Sequence, residues 1–243
     1  MSRRTVTAAR SLLGLGVNED WSFERAFLEI NDVPCCCVDG SVSLHRFAAE
    51  ARLQRLRALK ALIGLRWEDA RRAHSEADRL SALHESMNEF VGRSGRSLIS
   101  EYVGPASWGR LDWSQLVSVH STAIFVKCDI EGAEYRLLPD LATDVGRLAG
   151  LVVEFHDVDL HLRHIEAFCS DVQNELVLVH LHANNRQAPI GDATLPPVLK
   201  LTWPARHLFQ SSEIQTRACG ELPVDGLDQP NDPKRSDFQF AWG

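Results

Sequence analysis

Between Lys127 and Glu134 the chain reads Lys-Cys-Asp-Ile-Glu-Gly-Ala-Glu, with three carboxylates in six residues and a glycine among them. Carboxylates gathered this closely can accept hydrogen bonds from hydroxyl groups, take up a proton, or hold a hard divalent ion. Asp129 is the first of them and follows an apolar run directly. His156 closes a second apolar run, and its neighbour Asp157 is placed to orient it as a general base. His180 and His182 are two residues apart, so on a strand both face one side, with Asn184 just beyond. Asp129, His156 and His182 are the candidates for proton transfer. Asp129 and Glu131, joined by Glu154 or His156, can also bind Mg or Mn. The spacing does not demand an ion, and no residue is assigned to a metal.

A second group lies near the start of the chain, where Gly14-Leu15-Gly16-Val17-Asn18-Glu19-Asp20 follows Ser11–Leu15. Glycines at a strand-to-helix turn let a nucleotide-bearing ligand approach the backbone without meeting Cβ atoms. Asp39 ends the next apolar run, where an acid can bond ribose hydroxyls. Gly14, Gly16, Asp20, Asp39, Asp129 and Glu131 are therefore the candidate cofactor contacts. Glu19 and Asp20 repel a pyrophosphate but tolerate a cationic donor without phosphates, which favours S-adenosylmethionine over NAD. Each feature also has an ordinary reading. The turn can be a plain loop with surface acids, and Lys127 a structural ion-pair partner. Glu134 can cap the following helix, Trp108 and Trp113 can anchor a loop, and His161 and His164 fit a helix surface.

Six apolar runs must position these groups: Ser11–Leu15, Val33–Val38, Ala123–Asp129, Gly150–Phe155, Glu175–Leu181 and Val198–Trp203. They lack strict alternation, as do strands of a sheet covered on both faces. Helical periodicity lies between them at Ser22–Ile30, Tyr135–Leu148 and His161–Val172, with Ser22 expected as an N-cap. Strand–helix alternation predicts an α/β, Rossmann-like doubly wound domain with a mostly parallel sheet. Residues 41–95 interrupt it with one or two long amphipathic helices, broken near Gly64, in which Leu53, Leu56, Leu59, Leu62 and Ile63 recur three or four apart. This interval is net basic and reads as a solvated helix face, a lid, a dimer contact or a surface for an anionic substrate. The expected division is a domain over 1–215 with that helical insertion, then an irregular tail over 216–243. Pro223, Asp225, Asp228, Pro230, Asp232 and Pro233 accumulate in the tail, and Phe238, Phe240 and Trp242 can dock it.

The chain has 243 residues, 44% hydrophobic and 24% charged, with a net charge of −7. That composition excludes collagen-like and extensively disordered classes. The acidic balance also weighs against a dedicated nucleic-acid binder. No run is long enough to span a membrane, and the N-terminus lacks the apolar core of a signal peptide. The cysteines at 35, 36, 37, 128, 169 and 219 form neither a disulfide framework nor a zinc pattern. Cys35 to Cys37 read as small strand hydrophobes, and a reducing cytoplasm is expected.

The stretch from Lys127 to Glu134 resembles the hallmark of the FkbM family of S-adenosylmethionine-dependent methyltransferases, with Cys128 at the usual Ile position. Leu151-Val152-Val153-Glu154-Phe155-His156 resembles the family's next strand. Leu178 to Asn185 resembles a His-x-His-(Gly/Ala)-Asn-Asn segment of a bacterial subset. The resemblance covers about 115–205 and, more loosely, 12–40. At the first glycine loop much of the family carries Asp-x-Gly-Ala-Asn, whereas this chain shares a subset's form through Asp20, Ser22, Phe23 and Glu24. The resemblance implies a class I methyltransferase fold, S-adenosylmethionine as donor, and transfer to a hydroxyl of a small-molecule or saccharide acceptor. A homodimer is left open. The competing readings are an NAD-type nucleotide-binding protein and a non-catalytic member acting in assembly.

Overall fold

The computed structural model describes residues 2–120, 122–188, 195–214, 223–224 and 228–239. A short helix, α1 (Arg3–Ala8), leads into β1 (Ser11–Leu15), α2 (Ser22–Ile30) and β2 (Cys35–Val38). Two long helices follow, α3 (Leu44–Ile63) and α4 (Trp67–Val91), then β3 (Arg96–Ile99), α5 (Trp113–Ser118) and β4 (Ile124–Cys128). The remainder comprises α6 (Leu138–Thr143), β5 (Leu148–Phe155), α7 (Val158–Val172), β6 (His180–Ala183) and β7 (Leu199–Pro204).

The seven strands form one sheet in the order β3-β2-β1-β4-β5-β7-β6. β1 pairs in parallel with both β2 and β4, while β7 runs antiparallel to β5 and β6. This is the doubly wound α/β architecture expected from strand–helix alternation. Every residue of β1, β2 and β5 is buried, because helices cover both faces. Successive side chains divide between the faces. Leu13, Cys36 and Val126 pack with α5, α6 and α7, and Leu12, Cys35, Cys37 and Phe125 pack with α1, α2 and the base of the α3–α4 hairpin. The three adjacent cysteines are thus buried, free thiols serving as small hydrophobes.

Three details depart from the sequence expectation. β3 was not anticipated, because a short edge strand reading Arg-Ser-Leu-Ile has no apolar run. The helix expected over Tyr135–Leu148 is split into α6 and two flanking 3-10 turns, with Pro139 in its first turn, and Leu148 already belongs to β5. Of Glu175–Leu181 only the end is strand, since Leu176 makes a single bridge to Ala205 before β6 begins. In α3 the inner contacts are made by Phe47, Ala51, Ala58 and Ala61, whereas Leu53, Leu56, Leu59, Leu62 and Ile63 are exposed. The leucine stripe of this amphipathic interval points to solvent.

In the tail, Phe238 packs against the core, while Cys219, Gly220, Asp225, Phe240 and Trp242 lie outside the described residues. Among the described residues no helix is long and apolar enough to cross a membrane.

Candidate functional site

Strand order reverses between β1 and β4, and chains leaving their carboxyl ends diverge to opposite faces, opening a crevice. A cavity of about 1190 Å³ lies there, reached by the loops after β1, β2, β4 and β5 and by residues after β6. Gly16, Asp20, Asp39, Asp129, Glu131 and His156 all line it.

Gly16 is required by both conformation and space. Its φ is +75°, and a Cβ there would lie 1.6 Å from the carbonyl oxygen of Asp129. The close approach is held by Lys127, whose Nζ donates to the Gly16 carbonyl at 2.7 Å and lies 3.4 Å from Asp129 Oδ2. Lys127 thereby clamps the first loop to the fourth strand. Gly14 has another task and is not in the cavity lining. A Cβ at Gly14 would meet the Glu24 carboxylate at 2.6 Å, so this glycine makes room for a fully buried acid beneath the loop. Burial raises the Glu24 pKa, opposed by the Lys127 charge.

The loop closes upon itself through its own amides. Gly16 N donates to Val38 O at 2.9 Å, Asn18 N to Asp39 Oδ2 at 2.7 Å, and Asp20 N to Val17 O at 3.0 Å. Asp39 Oδ1 accepts from both the amide and the hydroxyl of Ser41. Asp20 accepts from the Ser22 amide at 2.9 Å, and hydrogen bonds from the Ser22 hydroxyl and amide hold its pKa below the usual value. Ser22 is therefore the first residue of α2 rather than its cap, and Asp20 satisfies that helix end. Glu19, expected to face a ligand, instead pairs with Arg79 of α4.

On the other side of the crevice, His156 Nδ1 lies 2.9 Å from Oε1 of Glu134, which is fully buried. The same Oε1 accepts from the amides of Ile130 and Gly132, so one carboxylate organises the turn after β4 and also orients the imidazole. Asp157, the partner expected from sequence, instead adopts a left-handed conformation ahead of α7. His156 Nε2 lies 3.5 Å from Glu131 and 4.0 Å from Asp129. Burial works against the charged imidazole, but the bond to Glu134 and the charges of Glu134, Glu131 and Asp129 prevail, raising the pKa to about 9. That shift favours the protonated imidazole at neutral pH. His156 thus faces the carboxylates of Asp129, Glu131 and Glu134. Burial raises the pKa of Asp129, with Lys127 opposing it.

One oxygen or nitrogen from each of Asp129, Glu154 and His156 lies within 4.8 Å of the others, a donor set suited to a hard divalent ion. Cationic side chains already compensate the cluster. Lys200 Nζ lies 2.7 Å from Glu154, and Lys127 flanks Asp129. Burial pushes Glu154 upward, but Lys200 outweighs it and leaves the carboxyl below its ordinary value.

His182 is the remaining predicted catalytic residue, and the structure does not bring it to the site. It sits on β6 opposite Lys200, stacked on His180, outside the cavity lining. The two asparagines after β6 divide the work. Asn184 lines the cavity and donates to Glu154, whereas Asn185 is buried and holds the tail. Asn185 Oδ1 accepts from Asp232 N at 2.7 Å, and its Nδ2 donates to the carbonyls of Asp232 and Arg235 at 3.1 Å. Asn231 of the tail thereby joins the cavity wall. Of the two tryptophans, Trp113 is buried and donates to Asp144, while the ring of Trp108 lies beside the guanidinium groups of Arg110 and Arg136. Both arginines line the cavity, a contribution that composition alone did not reveal.

No family model matches the chain, and no curated protein matches it. Among solved structures it is similar to a fibrillarin/Nop5p complex chain at 8% identity and TM-score 0.41, over 82% of this chain and 73% of that one. An rRNA methylase from Streptococcus thermophilus is similar at 10% identity and TM-score 0.40, over 84% and 94%. A precorrin-6y C5,15-methyltransferase from Geobacter metallireducens is similar at 9% identity and TM-score 0.40, over 82% and 85%. The sheet order with its reversed β7 makes this an α/β fold of the class I methyltransferase type.

Proposed function

We propose that the protein is an S-adenosylmethionine-dependent methyltransferase that transfers a methyl group to a hydroxyl of a small-molecule or saccharide acceptor. One observation carries the choice of donor. The amides of Gly16, Asn18 and Asp20 are occupied by Val38, Asp39 and Val17, and the carboxylates of Asp20, Asp39 and Asp129 line the same end of the cavity. A pyrophosphate needs free amides and no nearby anions. A sulfonium donor with a ribose needs acceptors and negative charge, which this wall supplies.

Asp39 accepts from the ribose hydroxyls, and Gly16 gives the donor room against the loop. Asp129 lies beside the acceptor hydroxyl, off the line of transfer. In the transfer the carbon–sulfur bond breaks as the carbon–oxygen bond forms, sulfur keeps the electron pair, and the acceptor hydroxyl proton passes to the Asp129 carboxylate. His156, held cationic by Glu134, sits behind the carboxylates and fixes their arrangement. The protein's own lysines and histidine balance the acidic cluster, so the reading invokes no ion.

Calorimetry with S-adenosylhomocysteine and with NAD tests the donor. Micromolar binding of the first and none of the second is expected, and the reverse preference overturns the reading. Transfer of a labelled methyl group to a sugar panel then tests the acceptor class; labelling of RNA alone would replace it.

A further inference from the structure

In the hairpin formed by α3 and α4, the outer face of α3 carries exposed leucines. Leu56 is 57% exposed, Leu59 55% and Ile63 76%, and the turn beyond adds Leu65 at 73% and Trp67 at 64%. Toward the turn the buried residues are alanines, Ala58 and Ala61 of α3 and Ala70 and Ala77 of α4, which bury little apolar surface per residue, while Phe47, Leu80, Met87 and Phe90 are buried toward the base. A helix that places alanine inward and leucine outward has a second apolar face requiring a partner. Its spacing at 56, 59 and 63 makes it continuous along one side.

Charge identifies the partner. Residues 46–72 hold eight basic and three acidic side chains, in a chain whose net charge is −7. Arg52 and Lys60, one turn to either side of Leu56, are exposed and have no ion-pair partner among the described residues. A second copy of this face would set Arg52 and Lys60 against their own equivalents, so self-association meets like charge. The exposed apolar residues run from the outer face of α3 onto the turn, through Leu65 and Trp67. A flat, deformable, negatively charged surface suits such a face. Leucine, isoleucine and tryptophan enter the interface, while arginine and lysine extend their alkyl stems and keep their charges at the headgroups.

We propose that the outer face of α3 and the hairpin turn dock the protein reversibly on an anionic lipid bilayer, lying on it without spanning it. The proposal does not depend on the methyltransferase reading, since it concerns a surface away from the crevice.

The test is co-sedimentation of the full-length protein with vesicles of phosphatidylcholine alone or mixed with phosphatidylglycerol. Binding to the mixed vesicles is expected to exceed that to neutral ones by about tenfold or more, and to weaken as salt is raised. The double variants Leu56→Gln with Ile63→Gln, and Arg52→Glu with Lys60→Glu, are each expected to lose about tenfold or more while keeping the wild-type thermal melt. Equal binding to both vesicle types, or binding to neither, overturns the proposal. A concentration-dependent dimer that the leucine variants dissolve would instead assign the face to a second copy. Capture of a glutamate- and leucine-rich helical peptide in place of vesicles would assign it to an acidic protein partner. Should a variant fail to fold, the salt dependence of the wild type decides, and salt-insensitive binding overturns the proposal.

Discussion

Glu134 and His156, 22 positions apart, are joined by a 2.9 Å contact between a fully buried carboxylate and an imidazole at the wall of the crevice. The pair fixes the turn after β4 relative to the end of β5, so its ionisation bears on stability as well as on chemistry.

The histidine pKa rises from 6.5 to about 9 in the folded protein. A raised pKa means that the folded state holds the proton more tightly than the unfolded chain. The resulting stabilisation is complete below pH 6.5 and is lost as pH rises through about 9. The wild type is expected to lose on the order of 2 kcal/mol across that window relative to His156→Gln. Chemical denaturation at a series of pH values measures the difference. Parallel stability curves for the two proteins would show that His156 titrates near its ordinary value.

Asp39→Ala removes the acceptor of three donors, the Asn18 amide and the amide and hydroxyl of Ser41, together with the proposed ribose partner. Affinity for S-adenosylhomocysteine is expected to fall at least about tenfold, or roughly 1.5 kcal/mol or more. Asp39→Asn, which keeps one oxygen, should fall between. Unchanged calorimetric affinity removes Asp39 from the donor site.

Gly16→Ala is expected to destabilise the fold by about 3 kcal/mol or more, since the Cβ would overlap the Asp129 carbonyl at 1.6 Å. Gly14→Ala meets only the end of the Glu24 side chain at 2.6 Å, so its cost should be smaller. Thermal melts of the two variants check the order, and an equal effect would mean that the Glu24 carboxylate cannot shift.

Removing divalent ions with a chelator is expected to leave methyl transfer unchanged, because Lys127 and Lys200 already face Asp129 and Glu154. Activity that disappears in chelator and returns with magnesium would place an ion among Asp129, Glu154 and His156.

Much of this arrangement was legible in the sequence because its signals are local. The apolar runs of β1, β2, β4 and β7 and the glycine at 16 follow from strand burial and turn geometry. The acids at 39 and 129 stand at strand ends, where a doubly wound fold collects its ligands. Pairings made in space were not legible. Nothing at Glu134 marks it as the partner of His156, since 22 residues and an intervening helix separate them. Glu19 read as a ligand-facing charge because Arg79 is 60 residues away. The leucines of α3 obeyed helical periodicity, which reports that an apolar face exists but not which of two faces the fold covers.

The hold of Asn185 on Asp232 and Arg235 bears on the order in which the chain takes shape as it is synthesised. The strands flanking the crevice and the carboxylates of Asp20, Asp39 and Asp129 all lie before residue 157, so they can assemble while later segments are still being made. The wall containing Asn231 must wait, because it is set by residues 228–239. A growing polypeptide would therefore form the wall at Gly16, Asp39 and Asp129 before the wall at Asn231. That order separates the maturation of the two ends of one cavity in time.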